Sequence, residues 1–378
     1  MDLLDLRKQI DDIDEQLIPL LIKRMGISKQ VAEYKVQRGL PVLNEQREKE
    51  ILDDVRLKCG EQGETIATVF SATMDASRAL QHKIIGGGKE LRTAVENAVI
   101  DDTLAESTAP VACAGVEGSY AEKTAKRLFP AAEIKHYKLF EDVFEAVNKG
   151  EAPFGIIPVE NSTAGSVHEA YDLIMKYKFY IVGAYSLEVN HCLCANENAK
   201  YEDIEEVYSH PQALSQCSKF LKDFDFTGIN YTNTAAAAKF VKNSGRTNIG
   251  AICSEDAAKK YGLKILKANI QNVSSNSTRF IVISKKMVIE KGADKISLIF
   301  ALPHKTGSLY RILGRFSMAG LNLTKLESRP MANGDFSYYF YVDLMGNIKD
   351  EGTLDLLCAL SSEIPDFKFL GNFYEYID

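Results

Sequence analysis

The chain has 378 residues, of which 46% are hydrophobic and 26% charged, and its formal net charge is −7. This composition is typical of globular proteins, and the length predicts two or three domains. The acidic balance disfavours a nucleic-acid partner, because no basic excess exists to displace counterions from phosphates. The cysteines are odd in number (7) and include no Cys-x-x-Cys pair, which disfavours a disulfide framework or a metal site. Because no apolar stretch is long enough to span a bilayer, we expect a cytoplasmic protein without metal or membrane contact.

The first part of the chain predicts an all-helical domain over residues 1–90. Apolar residues step by three and four from about 3–38, the pattern of one long amphipathic helix. Further helices are expected at about 45–58 and 65–83, with no strand signal between them. Pro19 lies inside the first helix, where it should cost about 3 kcal/mol or kink the helix.

A cation interrupts the apolar side of this first helix. Arg24 stands where the pattern requires an apolar residue, so a buried anion should accompany it. A solvated helix face explains the neighbouring lysines but does not explain Arg24. Arg24 and Lys35 project within about 20° of each other on a helix, so both side chains can close on one small anion. Arg7 lies about 25 Å from Arg24 along the same helix and on another side, which predicts that it serves a site on a second subunit of a dimer.

The helical region resembles the all-helical class of chorismate mutases, in which arginines from two subunits hold a small dianion. The residues that fall on the motif of that family are Arg7, Arg24, Lys35, Arg47, Glu48, Ser77 and Gln81. Asn44 stands where many relatives have Asp. The resemblance implies that these residues and Asn44 bind chorismate, which rearranges to prephenate without a cofactor or a catalytic base. It also implies that Lys35 and Gln81 donate to the ether oxygen and that Glu48 binds the ring hydroxyl.

The pattern changes after an expected linker at residues 91–108, where short apolar strands begin to alternate with polar loops and helices. The predicted strands are residues 111–114, 154–160, 204–208, 229–231 and 249–253. Such alternation indicates an α/β domain, in which ligands bind beyond the carboxyl ends of the strands. Helix capping alone explains each polar loop, so the loops point to a site only when taken together.

Four segments of this region resemble, in order, the motifs of prephenate dehydratases. They are Gly115-x-x-Gly118-Ser119-Tyr120, Pro158-Val159-Glu160-Asn161-Ser162, Ser209-His210-Pro211-Gln212 with Gln216, and Thr278-Arg279-Phe280. The resemblance assigns a dehydratase domain to residues 109–287. It implies two lobes similar to type 2 periplasmic-binding proteins, with the site in the cleft between them and the strand after Thr278 returning to the first lobe.

The resemblance also implies which residues bind prephenate. They are Ser119, Glu160, Asn161, Ser162, Ser209, His210, Gln212, Gln216, Thr278, Arg279 and Phe280. By the same resemblance Thr278 lies at the leaving hydroxyl and Arg279 holds a carboxylate. A threonine hydroxyl is a weak acid, so Glu160 and His210 stay open as alternative proton donors.

Residues 294–378 follow a βαββαβ order, which is ferredoxin-like. The expected strands are 296–302, 321–329, 336–344 and 367–376, and the expected helices are 308–318 and 353–363. The first helix opens with Thr306, Gly307, Ser308 and Leu309, and the second strand ends with Glu327, Ser328 and Arg329. Both segments resemble the amino-acid-binding motifs of ACT domains, which implies phenylalanine as an effector. The alternative is a dimerisation module without ligand.

Together these resemblances imply a homodimer or higher homo-oligomer that converts chorismate to prephenate and then prephenate to phenylpyruvate, under feedback inhibition by phenylalanine. Two alternatives stay open. The middle domain could act on arogenate, which carries an amine where prephenate has a ketone, or the chain could be a non-catalytic sensor of aromatic metabolites.

Overall fold

The structure, a computed structural model, describes residues 2–101, 104–273, 275–330 and 338–378. In these ranges the helices are α1 Leu3–Arg38, α2 Glu45–Cys59, α3 Gly63–Ile85, α4 Lys89–Glu96, α5 Tyr120–Leu128, α6 Phe140–Lys149, α7 His168–Tyr177, α8 Pro211–Gln216, α9 Ser218–Asp223, α10 Thr234–Ser244, α11 Glu255–Tyr261, α12 Ser308–Met318 and α13 Glu351–Glu363. The strands are β1 Val99–Asp101, β2 Val111–Ala114, β3 Ile134–Tyr137, β4 Phe154–Asn161, β5 Gly165–Ser166, β6 Tyr180–Glu188, β7 Cys192–Ala195, β8 Glu206–Ser209, β9 Thr227–Asn230, β10 Ile249–Cys253, β11 Lys264–Lys267, β12 Ser277–Ser284, β13 Val288–Glu290, β14 Lys295–Leu302, β15 Asn322–Pro330, β16 Tyr338–Met345, β17 Lys368–Phe373 and β18 Glu375–Ile377. Within the described ranges, no helix has both the length and the hydropathy needed to cross a bilayer.

The chain divides into two compact units. Unit 1 comprises residues 1–97 and 296–369, and unit 2 comprises residues 98–295 and 370–378. Residues 370–378 are thus grouped with unit 2, although β17, which ends at Phe373, is a strand of the sheet β15-β16-β14-β17.

The N-terminal part of unit 1 consists of long helices, as predicted. The α1 helix passes through Pro19 as one element and ends at Gly39, whose φ of 62° is the left-handed conformation common at helix C-termini. The α3 helix contacts both α1 and α2. Its buried side is polar, with Asp75, Ser77, Arg78, Gln81 and His82 between 5% and 8% exposed. Buried polar groups need partners across the interface, and those partners define a candidate site.

The C-terminal part of unit 1 confirms the βαββαβ order. Its sheet runs β15-β16-β14-β17, with α12 and α13 as the two helices of the motif. The first residues of the predicted strand 336–344 lie outside the described residues. The predicted strand 367–376 is divided at Tyr374 into β17 and β18, and β18 pairs in parallel with β6 of unit 2.

Unit 2 has two lobes, each built on one sheet. The sheet of the first lobe runs β18-β6-β12-β4-β2-β3, with β5 beside β4, and the sheet of the second lobe runs β11-β7-β10-β8-β9. The β12 strand pairs antiparallel with β4 and β6, so the chain returns to the first lobe after Thr278, as expected. A short loop and then a helix follow each of β2, β8 and β9, and residues at the starts of these three helices line one cavity.

Candidate functional sites

Two cations of α1 meet polar side chains of α3 in unit 1. Arg24 Nη1 donates to Ser77 Oγ at 2.7 Å and to the carbonyl oxygen of Thr73 at 3.3 Å. Farther along α1, Lys35 Nζ donates to Gln81 Oε1 at 3.0 Å. Burial lowers the pKa of Lys35. The predicted Arg24 and Lys35 thus lie along one interface, with Ser77 and Gln81 opposite them and with further N–H groups able to bind an anion.

A carboxylate of α2 is paired with a guanidinium of α3. Glu48 Oε1 accepts from Arg78 Nη1, and Asp75 Oδ1 accepts from Arg78 Nη2. The side chain of Arg78 is 9% exposed and that of Glu48 is 20% exposed. Burial contributes most to the lowered pKa of Lys35, the charge of Glu48 raises this pKa, and the charge of Arg78 lowers it. The three charged side chains therefore lie close enough to interact electrostatically.

The remaining predicted residues of this site lie at its edge or apart from it. Asn44 caps α2, because its side chain accepts from the backbone N–H of Arg47 at 3.0 Å. The side chain of Arg47 is 67% exposed. Arg7 lies near the start of α1, about 25 Å along the helix from Arg24. One copy of the chain therefore does not bring Arg7 to the other residues.

Unit 2 contains a cavity of about 390 Å³ between its lobes. Helices α5, α8 and α10 all direct their N-terminal residues to it. The polar residues that line it are Ser119, Tyr120, Lys138, Asn161, His191, His210, Gln212, Gln216, Thr232, Asn233, Thr234 and Thr278. Free N–H groups at helix N-termini favour anionic ligands, so a carboxylate fits this cavity.

A series of hydrogen bonds ends at Thr278 on the wall of this cavity. His191 Nε2 lies 2.9 Å from Gln216 Oε1, and Gln216 Nε2 donates to Asn161 Oδ1 at 3.2 Å. Asn161 Nδ2 then donates to Thr278 Oγ1 at 3.0 Å. Because Thr278 Oγ1 accepts this bond, the hydroxyl proton of Thr278 stays available to a group in the cavity. Burial lowers the pKa of His191, which favours the neutral ring.

Arg279 and Glu160 lie opposite each other in the register of β12 and β4, and neither lines the cavity. Arg279 Nε lies 3.0 Å from Glu375 Oε1, with the two side chains 12% and 7% exposed. Lys295 also pairs with Glu375. Since consecutive residues of a strand point to opposite faces, the side chain of Arg279 lies on the other face from that of Thr278.

A chorismate mutase type II family model matches residues 6–82, and a prephenate dehydratase family model matches residues 111–288. The bifunctional chorismate mutase/prephenate dehydratase of Aquifex aeolicus (strain VF5) is 31% identical over 382 residues, which cover 98% of each chain. The chain belongs to this bifunctional family. It is an enzyme with a chorismate mutase domain in unit 1 and a prephenate dehydratase domain in unit 2, as the sequence predicted.

Two further comparisons each cover 70% of this chain. Arogenate dehydratase 2 of Petunia hybrida is 36% identical over 280 residues, which cover 70% of this chain and 71% of the relative. The crystal structure of a prephenate dehydratase in complex with L-Phe from Arthrobacter aurescens has a TM-score of 0.64 and 27% identity. That likeness covers 70% of this chain and 89% of the other.

In the mutase site, the structure brings Arg24, Lys35, Ser77 and Gln81 together along the α1–α3 interface, whereas Arg7 stands apart. Sequence reasoning missed Arg78, which follows Ser77 directly and pairs with Glu48. The signal for Arg78 was the same as for Arg24, a cation on the side of a helix that should be buried.

In the dehydratase site, most of the predicted residues line the cavity. They are Ser119, Asn161, His210, Gln212, Gln216, Thr278 and Phe280. Four predicted residues do not line it: Glu160, Ser162, Ser209 and Arg279.

The positions of these four residues have physical reasons. Ser209 is buried and donates to the carbonyl oxygen of Ile252 at 2.7 Å. Ser162 Oγ accepts from the backbone N–H of Ser277 at 2.9 Å, which secures the loop beside β12. Arg279 pairs with Glu375, and Glu160 lies opposite Arg279 in the register; the substrate contact of Arg279 and the alternative role of Glu160 as proton donor stay predictions.

Sequence reasoning missed Lys138 and His191. Lys138 supplies a cation to the cavity, but it sits in an ordinary turn between β3 and α6 and gave no signal. His191 directly precedes the buried strand β7. A single histidine at such a position is as consistent with a buried structural residue as with a site residue.

The two predicted effector segments lie in different settings. Gly307 has a φ of 80° at the start of α12, and the buried Ser308 that follows has a hydroxyl without a hydrogen-bond partner. Ser308 lines a cavity of about 570 Å³ that residues of α2, α3 and α13 also line. Glu327 lies on β15, where Lys325 Nζ pairs with it at 3.4 Å, and it does not line that cavity.

Proposed function

We propose that the chain rearranges chorismate to prephenate at the α1–α3 interface of unit 1 and converts prephenate to phenylpyruvate in the cavity of unit 2. The observation that carries the proposal is the free proton of Thr278, whose hydroxyl oxygen already accepts from Asn161. Loss of a hydroxyl group is assisted by such a donor. Membership of the bifunctional enzyme family argues against the alternative of a non-catalytic sensor.

In the mutase site, cations supply what the reaction requires. Arg24 and Lys35 would bind carboxylates of the substrate, and Lys35 with Gln81 would donate to the ether oxygen as charge develops there. Glu48, with one oxygen occupied by Arg78, would accept from the ring hydroxyl with the other. Holding the flexible dianion in a compact conformation accounts for the rest of the rate enhancement, and no proton transfer is needed.

We propose that Arg7 of a second copy completes this site, which makes the enzyme a homodimer. Support comes from α1 itself, whose apolar side is uncovered in one chain. Its large apolar side chains are more than a third exposed at Leu6, Ile10, Ile13, Leu17, Leu20 and Leu21. A helix of 36 residues with this much exposed apolar surface is suited to lie against a second copy of itself.

In the dehydratase site, Thr278 would donate to the ring hydroxyl as it departs. The bond between the ring and its carboxylate breaks, its electron pair enters the ring, and carbon dioxide and hydroxide leave, the latter taking a proton to become water. Lys138 and the N-termini of α5 and α10 would hold the carboxylates. These groups take the role that the sequence had assigned to Arg279.

His210 is the remaining candidate for the proton donor. Its Nδ1 accepts from the backbone N–H of Gln212 at 3.3 Å, so the proton of the neutral ring resides on Nε2. Burial lowers the pKa of His210, which keeps the ring neutral near pH 7. A neutral imidazole is a much weaker acid than imidazolium, so His210 would donate a hydrogen bond from Nε2 to the leaving hydroxyl rather than transfer a proton to it.

The rival substrate arogenate is favoured by the 36% identity to the Petunia arogenate dehydratase. The discriminating experiment supplies the purified enzyme with chorismate, prephenate or arogenate and follows phenylpyruvate and phenylalanine formation. We expect phenylpyruvate from chorismate and from prephenate, with a higher kcat/KM for prephenate than for arogenate. Absence of phenylpyruvate from either substrate would overturn the proposed function, and a reversed kcat/KM ratio would reassign the substrate.

We also propose phenylalanine as the feedback inhibitor, bound by Thr306, Gly307, Ser308 and Leu309 with Glu327, Ser328 and Arg329. Support comes from the related dehydratase structure in complex with L-Phe and from the unpartnered hydroxyl of Ser308. Ser308→Trp should fill the effector pocket, so it should relieve inhibition by phenylalanine while both activities persist. Unchanged sensitivity of this variant would place the effector elsewhere.

A further inference from the structure

A cluster of buried charges joins the mutase site to the C-terminal part of unit 1. Arg78 pairs with Glu48 of α2 and with Asp75 of its own helix, and its Nε lies 3.8 Å from Glu363 Oε2 at the end of α13. The side chain of Arg78 is 9% exposed and that of Glu363 is 8% exposed. The donors of a guanidinium lie in one plane and point in fixed directions. If one of its carboxylate partners moves, the guanidinium therefore also moves relative to the other partner.

Glu363 is itself held from more than one side. Arg315 Nη1 of α12 donates to Glu363 Oε2 at 2.5 Å, and His82 Nε2 lies 2.5 Å from Glu363 Oε1. Burial by itself raises the pKa of Glu363, but the His82 hydrogen bond and the charges of Arg315 and Arg78 outweigh it and lower the pKa to about 2. Glu363 is therefore an anion that Arg315 and His82 keep in place, and it lies next to Arg78.

We propose that Arg78 is a positioning residue for the mutase carboxylate Glu48, and that Glu363 of the C-terminal part keeps Arg78 in place. This inference rests on the proposed role of Glu48 toward the ring hydroxyl. Glu48 has to be correctly oriented for that role, and its pairing with Arg78 provides this orientation. Without Arg78, Glu48 and Asp75 would lose the cation that they share, and Glu363 would keep only Arg315 and His82.

One consequence is that the rate of the mutase reaction depends on a residue far away in sequence. Glu363 belongs to α13, the second helix of the βαββαβ part, whose first helix α12 opens with the proposed effector segment and carries Arg315. A displacement of α12 or α13 would change the partners of Arg78 before it reached Glu48. The cluster thus offers the effector-binding part a direct route to the mutase site.

The test compares Glu363→Gln with a matched control in the full-length enzyme. Asp355 also lies on α13 and also pairs with an arginine of the helical part, Arg92, at 2.5 Å, but it does not touch Arg78. We expect Glu363→Gln to lower mutase kcat/KM about tenfold, because it removes the buried negative charge that lies beside Arg78. Asp355→Asn should change it less than twofold, and dehydration of prephenate should be unchanged in both variants.

A double-mutant cycle separates positioning from a general structural effect. In the Glu48→Gln background, Glu363→Gln should cause no further loss, because the carboxylate that it positions is gone. Arg78→Lys should retain more activity than Arg78→Met, since lysine keeps the charge but not the planar donors. Circular dichroism and dehydratase activity show whether Glu363→Gln folds. If it does not, the comparison of Arg78→Lys with Arg78→Met tests the positioning role instead.

Three outcomes would overturn the inference. They are equal effects of Glu363→Gln and Asp355→Asn, an additive loss in the Glu48→Gln background, and equal activities of Arg78→Lys and Arg78→Met. Full mutase activity of Glu48→Gln alone would instead overturn the proposed role of Glu48, and the inference with it. That result is read before Glu363 is changed, so the two failures are distinguishable.

Discussion

In the candidate mutase site, the side chains are positioned by ion pairs between charged groups. In the candidate dehydratase site, they are positioned by hydrogen bonds between neutral amides and a hydroxyl. Arg78 lies among Glu48, Asp75 and Glu363, all on buried or partly buried surface. Thr278 lies at the end of a series of hydrogen bonds through Asn161 and Gln216. Loss of one member of a buried charge cluster leaves another charge unpaired and costs about 3–5 kcal/mol, against about 1–3 kcal/mol for a neutral group left without its partner.

The two sites also differ in how much of each one copy of the chain contains. The dehydratase cavity is lined by residues of unit 2 alone, including both lobes. Within one copy, Arg7 lies apart from the other candidate mutase residues, and the apolar side of α1 is exposed. Substitutions in the dehydratase site should therefore act on chemistry within a stable chain, whereas those in the mutase site also test assembly.

The largest effect should come from Thr278→Ala. Removing a positioned hydrogen-bond donor at a leaving group costs about 10³-fold in turnover, and the mutase reaction should stay within a few-fold of wild type. Phenylpyruvate formation from prephenate, followed by absorbance, measures the first activity, and chorismate consumption measures the second. Thr227→Ala, an exposed threonine on β9, is the matched control and should change neither. Equal loss of both activities would break the separation of the two sites.

Mixing two inactive variants tests whether the mutase site is shared. Arg7→Ala and Lys35→Ala should each lower mutase activity about 100-fold, as expected when a charged contact to the substrate is lost. In a mixed dimer one of the two sites has both residues, so an equal mixture should recover about a quarter of wild-type activity. Lys8→Ala, on the same exposed helix, should have no effect. No recovery after subunit exchange would contradict the dimer.

Local pattern was enough to predict the elements that form without distant partners. The strands at 111–114 and 249–253 are short apolar runs bounded by polar residues, and the structure has them at those positions. The βαββαβ order was likewise readable from alternating periods. The division of the last strand at Tyr374 was not, because pairing of β18 with β6 depends on contacts about 190 residues apart in sequence, such as the one between Ser186 and Glu375.

The candidate sites show the same limit. Asn161 and Thr278 were identified by motif, and their contact follows from the pairing of β4 with β12, which the motifs did not state. The motif resemblance implies that Arg279 holds a carboxylate of the substrate. Because side chains alternate along a strand, Arg279 and Thr278 point to opposite faces of the sheet. In the structure Arg279 pairs with Glu375, which lies near the end of the chain, and no local signal connects the two.

The smallest of these effects should come from Glu375, which lies outside both sites. Glu375→Gln removes the buried charge that pairs with both Arg279 and Lys295, and it should destabilise unit 2 by about 3 kcal/mol at pH 7. Glu255→Gln, which removes an exposed pair with Lys259, is the control and should cost less than about 0.5 kcal/mol.

The direction of the pKa shift of Glu375 predicts how its contribution to stability changes with pH. Burial by itself raises the pKa of Glu375, but Arg279 and Lys295 outweigh it and lower the pKa below its ordinary value of 4.5. The stability that Glu375 contributes is therefore fully present above about pH 4.5 and is lost as the pH falls through the folded-state pKa. Urea unfolding of wild type and variant should show a difference that is constant from pH 6 to 8 and shrinks toward pH 3. A difference that stayed the same in acid would mean that Glu375 acts by packing rather than by charge, and that the charged pairing of Arg279 does not secure the strand that carries Thr278.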